Sequence, residues 1–287
     1  DWYLASNINK KSQLDEHLMN NVPIKGVPKN LKNTVFPFSY NDIEGLESII
    51  KKNNIGVIKM EVKRNDEPKS NFLQKVRKLS EKKNIVLIFD ECTSGFRQTF
   101  GGLHKFYKVN PDIAIFGKAL GNGHAINAVI GKRSVMETVN STFISSTFWT
   151  ERSGSVAALK TLELMERHKS WEQITATGKI IRQTWRQIAK RHKLSISIGG
   201  IPAISSFSFD DGDHLLKKTF VTQEMLKRGF LASNLIYVSL SHESRILAAY
   251  FEQLDEVFEV LGAHVANETL ASALDDQVSH GGFKRLN

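Results

Sequence analysis

A single cysteine, Cys92, stands in the 287 residues, so no disulfide can form within the chain. Such a chain suits a reducing compartment such as the cytoplasm. A lone cysteine beside two acids would act as a nucleophile only with a base to activate it, and no histidine stands near it in sequence, so Cys92 reads as a small apolar residue after a strand. No apolar run approaches the length of a transmembrane helix and no signal-peptide pattern opens the sequence, so we expect no membrane partner. The nine histidines include no His-Glu-x-x-His and no Cys/His spacing, which argues against a metal site. Lys and Arg total 39 against 30 Asp and Glu, a net charge of +9, but the lysine pairs are scattered near predicted helix ends. No basic run is interleaved with aromatics, so nucleic acid is discounted as a partner. A nucleotide P-loop is excluded as well, because Asp112 stands six positions before Lys118 and Ala119 follows it.

What remains is an ordinary globular composition, 41% hydrophobic and 24% charged, with enough length for one large domain or a large domain and a smaller one. The stretch Ile85-Val86-Leu87-Ile88-Phe89-Asp90-Glu91 is an apolar run ending in two carboxylates. It predicts a buried parallel strand that delivers both acids to its C-terminal edge, where open α/β sheets hold their ligands. Ile113 to Phe116 is a second short apolar run, ending in Gly117-Lys118 before a glycine-rich loop, so a lysine reaches the same edge. A lysine leaving an apolar strand is partly desolvated, which makes its amine a candidate for Schiff-base chemistry. A carboxylate on the neighbouring strand is what a pyridine nitrogen needs in order to stay protonated.

In chain order, 7–32 reads as loop with one short helix, and Asn33 to Phe38 as an edge strand interrupted by Pro37. Asn41 or Asp42 caps a helix carrying Ile43, Leu46, Ile49 and Ile50, and Ile55 to Glu61 is a strand. Ser70 caps the next helix, with Phe72, Val76 and Leu79 on one face. Strands at 113–116 and 126–130 complete a run of αβ units, which predicts a largely parallel sheet flanked by helices. From Gly154 to about His192 one long helix is expected, with Val156, Leu159, Leu162 and Met165 on its apolar face and a break near Gly178. Strands at 196–198, 204–209 and 237–240 and helices at 214–228 and 243–262 form a smaller α+β domain, with Ile246, Tyr250, Leu254 and Phe258 repeating in the last helix. The expected division is a large domain, 1–190, and a small one, 191–287.

The segments Leu87-Ile88-Phe89-Asp90-Glu91-Cys92-Thr93-Ser94-Gly95-Phe96-Arg97, Pro111-Asp112-Ile113 through Gly121, and Ser146 to Arg152 resemble class III pyridoxal-phosphate-dependent aminotransferases. The similarity is greatest to the glutamate-1-semialdehyde 2,1-aminomutase-like branch. The resemblance implies fold type I, a pyridoxal 5'-phosphate cofactor, and amino transfer to or from a small amino-acid, amino-aldehyde or keto substrate. It assigns the Schiff base to Lys118, the ring nitrogen to Asp90, and a partner subunit's cofactor phosphate to Thr147, which implies a homodimer with shared active sites. Glu61 matches a family acid usually followed by proline, where this chain has Val62. With Arg97 it is carried over as a substrate-binding candidate, and Arg64 is a further cation nearby. Glu91 is expected to hydrogen-bond structurally, His104 and His124 to face solvent, and Phe143, Phe148 and Trp149 to pack in the core. In the family a stretch like Asp1-Trp2-Tyr3-Leu4-Ala5 lies well inside the chain. A truncated, non-catalytic homologue that keeps the fold and the dimer surface is therefore the second reading.

Overall fold

The computed structural model describes residues 3–10, 13–14 and 22–281. The chain divides into two units, Asp1–Ile55 with Val278–Asn287, and Gly56–Gln277. Among its described residues the first holds the α-helices α1 (Ser6–Asn9) and α2 (Ile43–Lys52). At the start of α2 the Asp42 carboxylate accepts the Gly45 N–H at 2.8 Å, satisfying a donor that the first turn leaves unpaired. The strand expected over 33–38 does not form. Pro37 removes one backbone donor there, and Asn33 takes a positive φ of 63°.

The second unit begins with β1 (Val57–Glu61), α3 (Phe72–Lys83), β2 (Val86–Glu91), β3 (Ile113–Phe116) and β4 (Ala128–Gly131). These strands form one sheet in the order β1-β2-β3-β4, parallel except for the antiparallel edge strand β4. Alternation in β1 to β3 turns Ile58, Met60, Leu87, Phe89, Ala114 and Phe116 to the buried side, where the α3 residues Phe72, Leu73 and Val76 are buried as well. Asn71 rather than Ser70 is the residue before α3, and both carry positive φ, so no side chain caps this helix. Below the sheet's functional edge, Asp112 joins three elements. Its carboxylate accepts from Arg77 at 2.8 Å, the Leu87 N–H at 2.9 Å and Lys132 at 2.8 Å. Those donors outweigh the burial that would otherwise raise its pKa, and hold it below the usual aspartate value.

After a short α4 (Arg133–Met136) come α5 (Ser153–His168) and α6 (Ser170–Arg191). The long helix therefore breaks at Lys169, whose φ of 47° leaves the helical region, and not at Gly178. Gly178 lies buried inside α6, where a Cβ would overlap the Pro202 carbonyl. Its lack of a side chain serves a close approach of backbone to backbone. The outward face of α5 also differs from expectation. Val156 is 63% and Leu159 70% exposed, while Gly154 and Ala158 are buried.

The remaining elements are β5 (Ile196–Ile201), β6 (Ile204–Phe209), α7 (His214–Lys227), β7 (Leu235–Tyr237) and α8 (Ser244–Ala266). The strands make an antiparallel sheet in the order β5-β6-β7. Its core gathers Trp185 and Ile181 from α6, Phe207 and Phe209 from β6, Phe220 and Met225 from α7, and Leu254, Phe258 and Leu261 from α8. The inward stripe of α8 runs through Leu247, Tyr250, Leu254 and Phe258, with Ile246 one position off it and 45% exposed. Buried Trp185 donates its indole N–H to the Tyr250 hydroxyl at 2.9 Å, so neither polar atom is orphaned. No helix among the described residues is long and apolar enough to cross a membrane.

Candidate active site

Three parallel strands end together. Glu61 at the end of β1 stands in register with Asp90 near the end of β2, and Asp90 with Ile115 of β3. Two residues beyond β3, Lys118 rises from Gly117 with a positive φ of 37°. A non-glycine residue held there costs on the order of 1–3 kcal/mol, and such strain persists where the surroundings over-determine it. Gly117 makes room for the approach, since a Cβ on it would lie 2.7 Å from the Cys92 sulfur.

The Lys118 amine donates to the Thr93 hydroxyl at 2.8 Å, a neutral partner, and among the described residues it joins no ion pair. Thr93 also receives at its carbonyl oxygen the Arg97 Nε–H at 2.9 Å, so one threonine links the lysine and the arginine. The Arg97 guanidinium lies 5.2 Å from the centre of the Tyr237 ring, within cation–π range, and its burial lowers its pKa. Sequence reasoning passed over Thr93, although its place three residues past Asp90, on the turn facing the lysine loop, was visible.

Asp90 has both oxygens engaged. Oδ1 accepts the Cys92 N–H at 3.1 Å, and Oδ2 takes the Lys59 ammonium at 2.7 Å. Lys59 is the second residue that sequence reasoning missed. Its signal was a charge inside an apolar strand, two positions before Glu61 and so on the same face. Glu61 is held above the usual glutamate pKa, by burial first and with Asp90 adding to it, while Arg64, Lys118 and Lys59 pull the other way. The Asp90, Lys118, Lys59 and Arg64 charges therefore all sit within electrostatic reach of Glu61. Arg64 pairs with Glu61 at 3.6 Å.

Glu91 takes the structural role expected of it. It is fully buried, and its oxygens accept from Ser94 Oγ at 2.6 Å, the Leu103 N–H at 2.8 Å and the His104 N–H at 2.9 Å. His104 Nδ1 lies 2.8 Å from the same carboxylate, so His104 turns inward instead of to solvent, because a buried acid needs that donor. Thr147 is not brought to this cluster by any contact among the described residues. It stands in an exposed stretch with Phe143 at 95%, Phe148 at 76% and Trp149 at 67% exposure, so these aromatics are not core residues.

This donor set, an amine with a neutral partner on the same C-terminal sheet edge as two carboxylates, fits the aldehyde and the ring nitrogen of pyridoxal phosphate. Comparisons with known proteins lead to the same family. The model of the aminotransferase class-III family matches residues 66–259. The chain is 32% identical over 207 residues to a 3-aminobutyryl-CoA aminotransferase of Cloacimonas acidaminovorans, covering 69% of this chain and 50% of that protein. It is 31% identical over 203 residues to a glutamate-1-semialdehyde 2,1-aminomutase of Methanococcoides burtonii, covering 65% and 46%. The chain thus spans about half the length of these relatives. Among solved structures, the PLP internal aldimine form of the FumI protein of Sphingopyxis sp. MTA144 superimposes with a TM-score of 0.80 at 20% identity, covering 89% of this chain and 64% of that one. An omega-transaminase of Sphaerobacter thermophilus gives 0.76 at 19% identity, covering 84% and 60%. The fold is that of the fold-type-I transaminases, and the chain belongs to the class-III aminotransferase family.

Proposed function

We propose that this chain binds pyridoxal 5'-phosphate and transfers an amino group to or from a small amino-acid, amino-aldehyde or keto substrate. The observation that carries the reading is Lys118, an amine held by a neutral hydroxyl at 2.8 Å on the sheet edge where Asp90 and Glu61 end. When bound, the cofactor supplies an electrophilic aldehyde and a ring that takes up the electron pair released at the substrate α-carbon. The Lys118 amine would hold the cofactor through its aldehyde, give way to the substrate amine, and move the proton from the substrate α-carbon to the cofactor's C4′ carbon, first as general base and then as general acid. Thr93 orients that amine through its hydroxyl. Asp90 holds the proton on the ring nitrogen. Arg97 spends its Nε–H on Thr93 and offers its remaining guanidinium donors to a substrate carboxylate, with Glu61 beside the same edge.

Thr147 donates its hydroxyl to the cofactor phosphate across a homodimer. The exposed apolar side chains of Phe143, Phe148, Trp149, Val156 and Leu159 support a subunit contact there. Residues 1–190 act as the cofactor-binding part and 191–287 as the smaller domain, in keeping with one sheet within 57–131 and the other within 196–237. The lone Cys92 supports a cytoplasmic setting.

A non-catalytic homologue is the second reading, favoured by Asp90, whose two carboxylate oxygens are already engaged by Lys59 and the Cys92 N–H. Incubation with pyridoxal 5'-phosphate followed by borohydride, in the parent and in Lys118→Ala, tests both. Covalent labelling of the parent alone is expected. No labelling, or equal labelling of the two proteins, overturns the catalytic reading and leaves the second.

A further inference from the structure

Lys59 stands where a parallel strand would ordinarily carry an apolar residue. The β1 run Val57-Ile58-Lys59-Met60-Glu61 alternates, so Lys59 and Glu61 share one face, the face on which Glu61 meets Asp90 in register. From its place opposite Ile88 the Lys59 side chain extends along the sheet to Asp90 Oδ2 at 2.7 Å. The Lys59 side chain is 52% and the Asp90 side chain 25% exposed, and a pair so open to water contributes little to stability. Its consequence lies in what Asp90 binds next. With Oδ1 on the Cys92 N–H and Oδ2 on Lys59, the carboxylate retains lone pairs for a further donor, but that donor meets a charge already countered.

We propose that Lys59 is a positioning residue that shares Asp90 with the cofactor's ring nitrogen and weakens the hold of Asp90 on that nitrogen's proton. The proposal rests on the assignment of Lys118 and Asp90 to pyridoxal phosphate. A cation within hydrogen-bond distance of the shared carboxylate disfavours a second cation there, so the protonated pyridine is bound less tightly and loses its proton at lower pH than it would beside Asp90 alone. Lys118, which acts electrostatically on the neighbouring Glu61, is a second cation in the cluster and remains in every variant below. Arg64 stays paired with Glu61.

The test measures pyridoxal 5'-phosphate affinity by quenching of tryptophan fluorescence, and ring-nitrogen protonation by NMR of isotopically labelled cofactor as pH rises from neutral. The proteins are the parent chain, Lys59→Met, Lys59→Arg, Asp90→Asn and the Lys59→Met/Asp90→Asn double variant. Lys59→Met should bind the cofactor on the order of tenfold more tightly and keep the ring nitrogen protonated to higher pH. Lys59→Arg should match the parent, and the gain should disappear in the Asp90→Asn background. Unchanged or weaker binding by Lys59→Met, or an equal gain without Asp90, overturns the proposal. If borohydride labels the parent at Lys118 and Lys59→Met still shows no gain, only this inference fails. If the parent is not labelled at all, the underlying assignment fails and takes this inference with it.

Discussion

Replacing Gly178 by alanine sets two effects of opposite sign against each other. In a helix interior the change from glycine to alanine ordinarily gains about 1 kcal/mol, through reduced backbone entropy in the unfolded chain. In α6, however, the new methyl would overlap the Pro202 carbonyl oxygen and stand 3.1 Å from the Pro202 Cα. The obstacle is backbone, between β5 and β6, and cannot rotate away as a long side chain could. Restoring ordinary contact requires that turn to retreat by on the order of 1 Å. Ala203 and Ile201 on either side of Pro202 are 0% and 3% exposed, so the retreat disturbs packed core. Overpacking of this kind costs about 3 kcal/mol at the upper end of its usual range, leaving a net loss of about 2 kcal/mol. For a unit of this size that lowers the Tm by roughly 4–8 °C. Urea unfolding followed by far-UV circular dichroism should show a lower midpoint with unchanged slope. Gly212→Ala is the control, because nothing lies within 4 Å of its built Cβ, and it should leave the midpoint nearly unchanged. A Gly178→Ala protein as stable as the parent, or more stable, would refute the reasoning and return Gly178 to the role of an incidental glycine.

Glu91→Gln should destabilise by about 2–4 kcal/mol in the same assay, because the amide nitrogen presents donors to donors that the carboxylate satisfied in a fully buried site. A loss within experimental error would mean that the Leu103 and His104 amides find other acceptors. For Glu61→Gln the expected effect depends on pH. Burial raises the folded-state pKa of Glu61 above its ordinary 4.5, so its contribution favours the folded form below that value and is lost as pH rises through the raised one. The glutamine variant has nothing to lose over that window. Its Tm relative to the parent should therefore climb from acid toward neutral pH, and a difference that stays flat or falls in differential scanning calorimetry would contradict the assigned cause.

The parts of this protein that were legible in its sequence are those governed by short-range pattern. β2 ends in Asp90 and Glu91 as its apolar run predicted, β3 is followed by Lys118, and the helix at Ile43–Lys52 starts from Asp42. A strand's period and a cap's hydrogen bond are decided within a few residues. The misreadings involved partners far away in the chain. Gly178 looked like a helix break because nothing near it in sequence announces Pro202. His104 looked like a loop residue until Glu91 was seen to need it. Val156 and Leu159 fitted a helical period, but the same period can be drawn one residue away, and the stripe that packs runs through Gly154 and Ala158.

The same division holds at the candidate site. Sequence alone determined that an acid and a lysine would leave neighbouring strands at one sheet edge, because strand direction and alternation follow from local order. Only the tertiary structure decided that Glu61 stands in register with Asp90, that Thr93 receives the lysine amine and the arginine Nε–H, and that Lys59 reaches Asp90. Register and side-chain pairing depend on how separate segments stack, and Lys59 and Asp90, thirty-one residues apart, meet only when β1 lies beside β2.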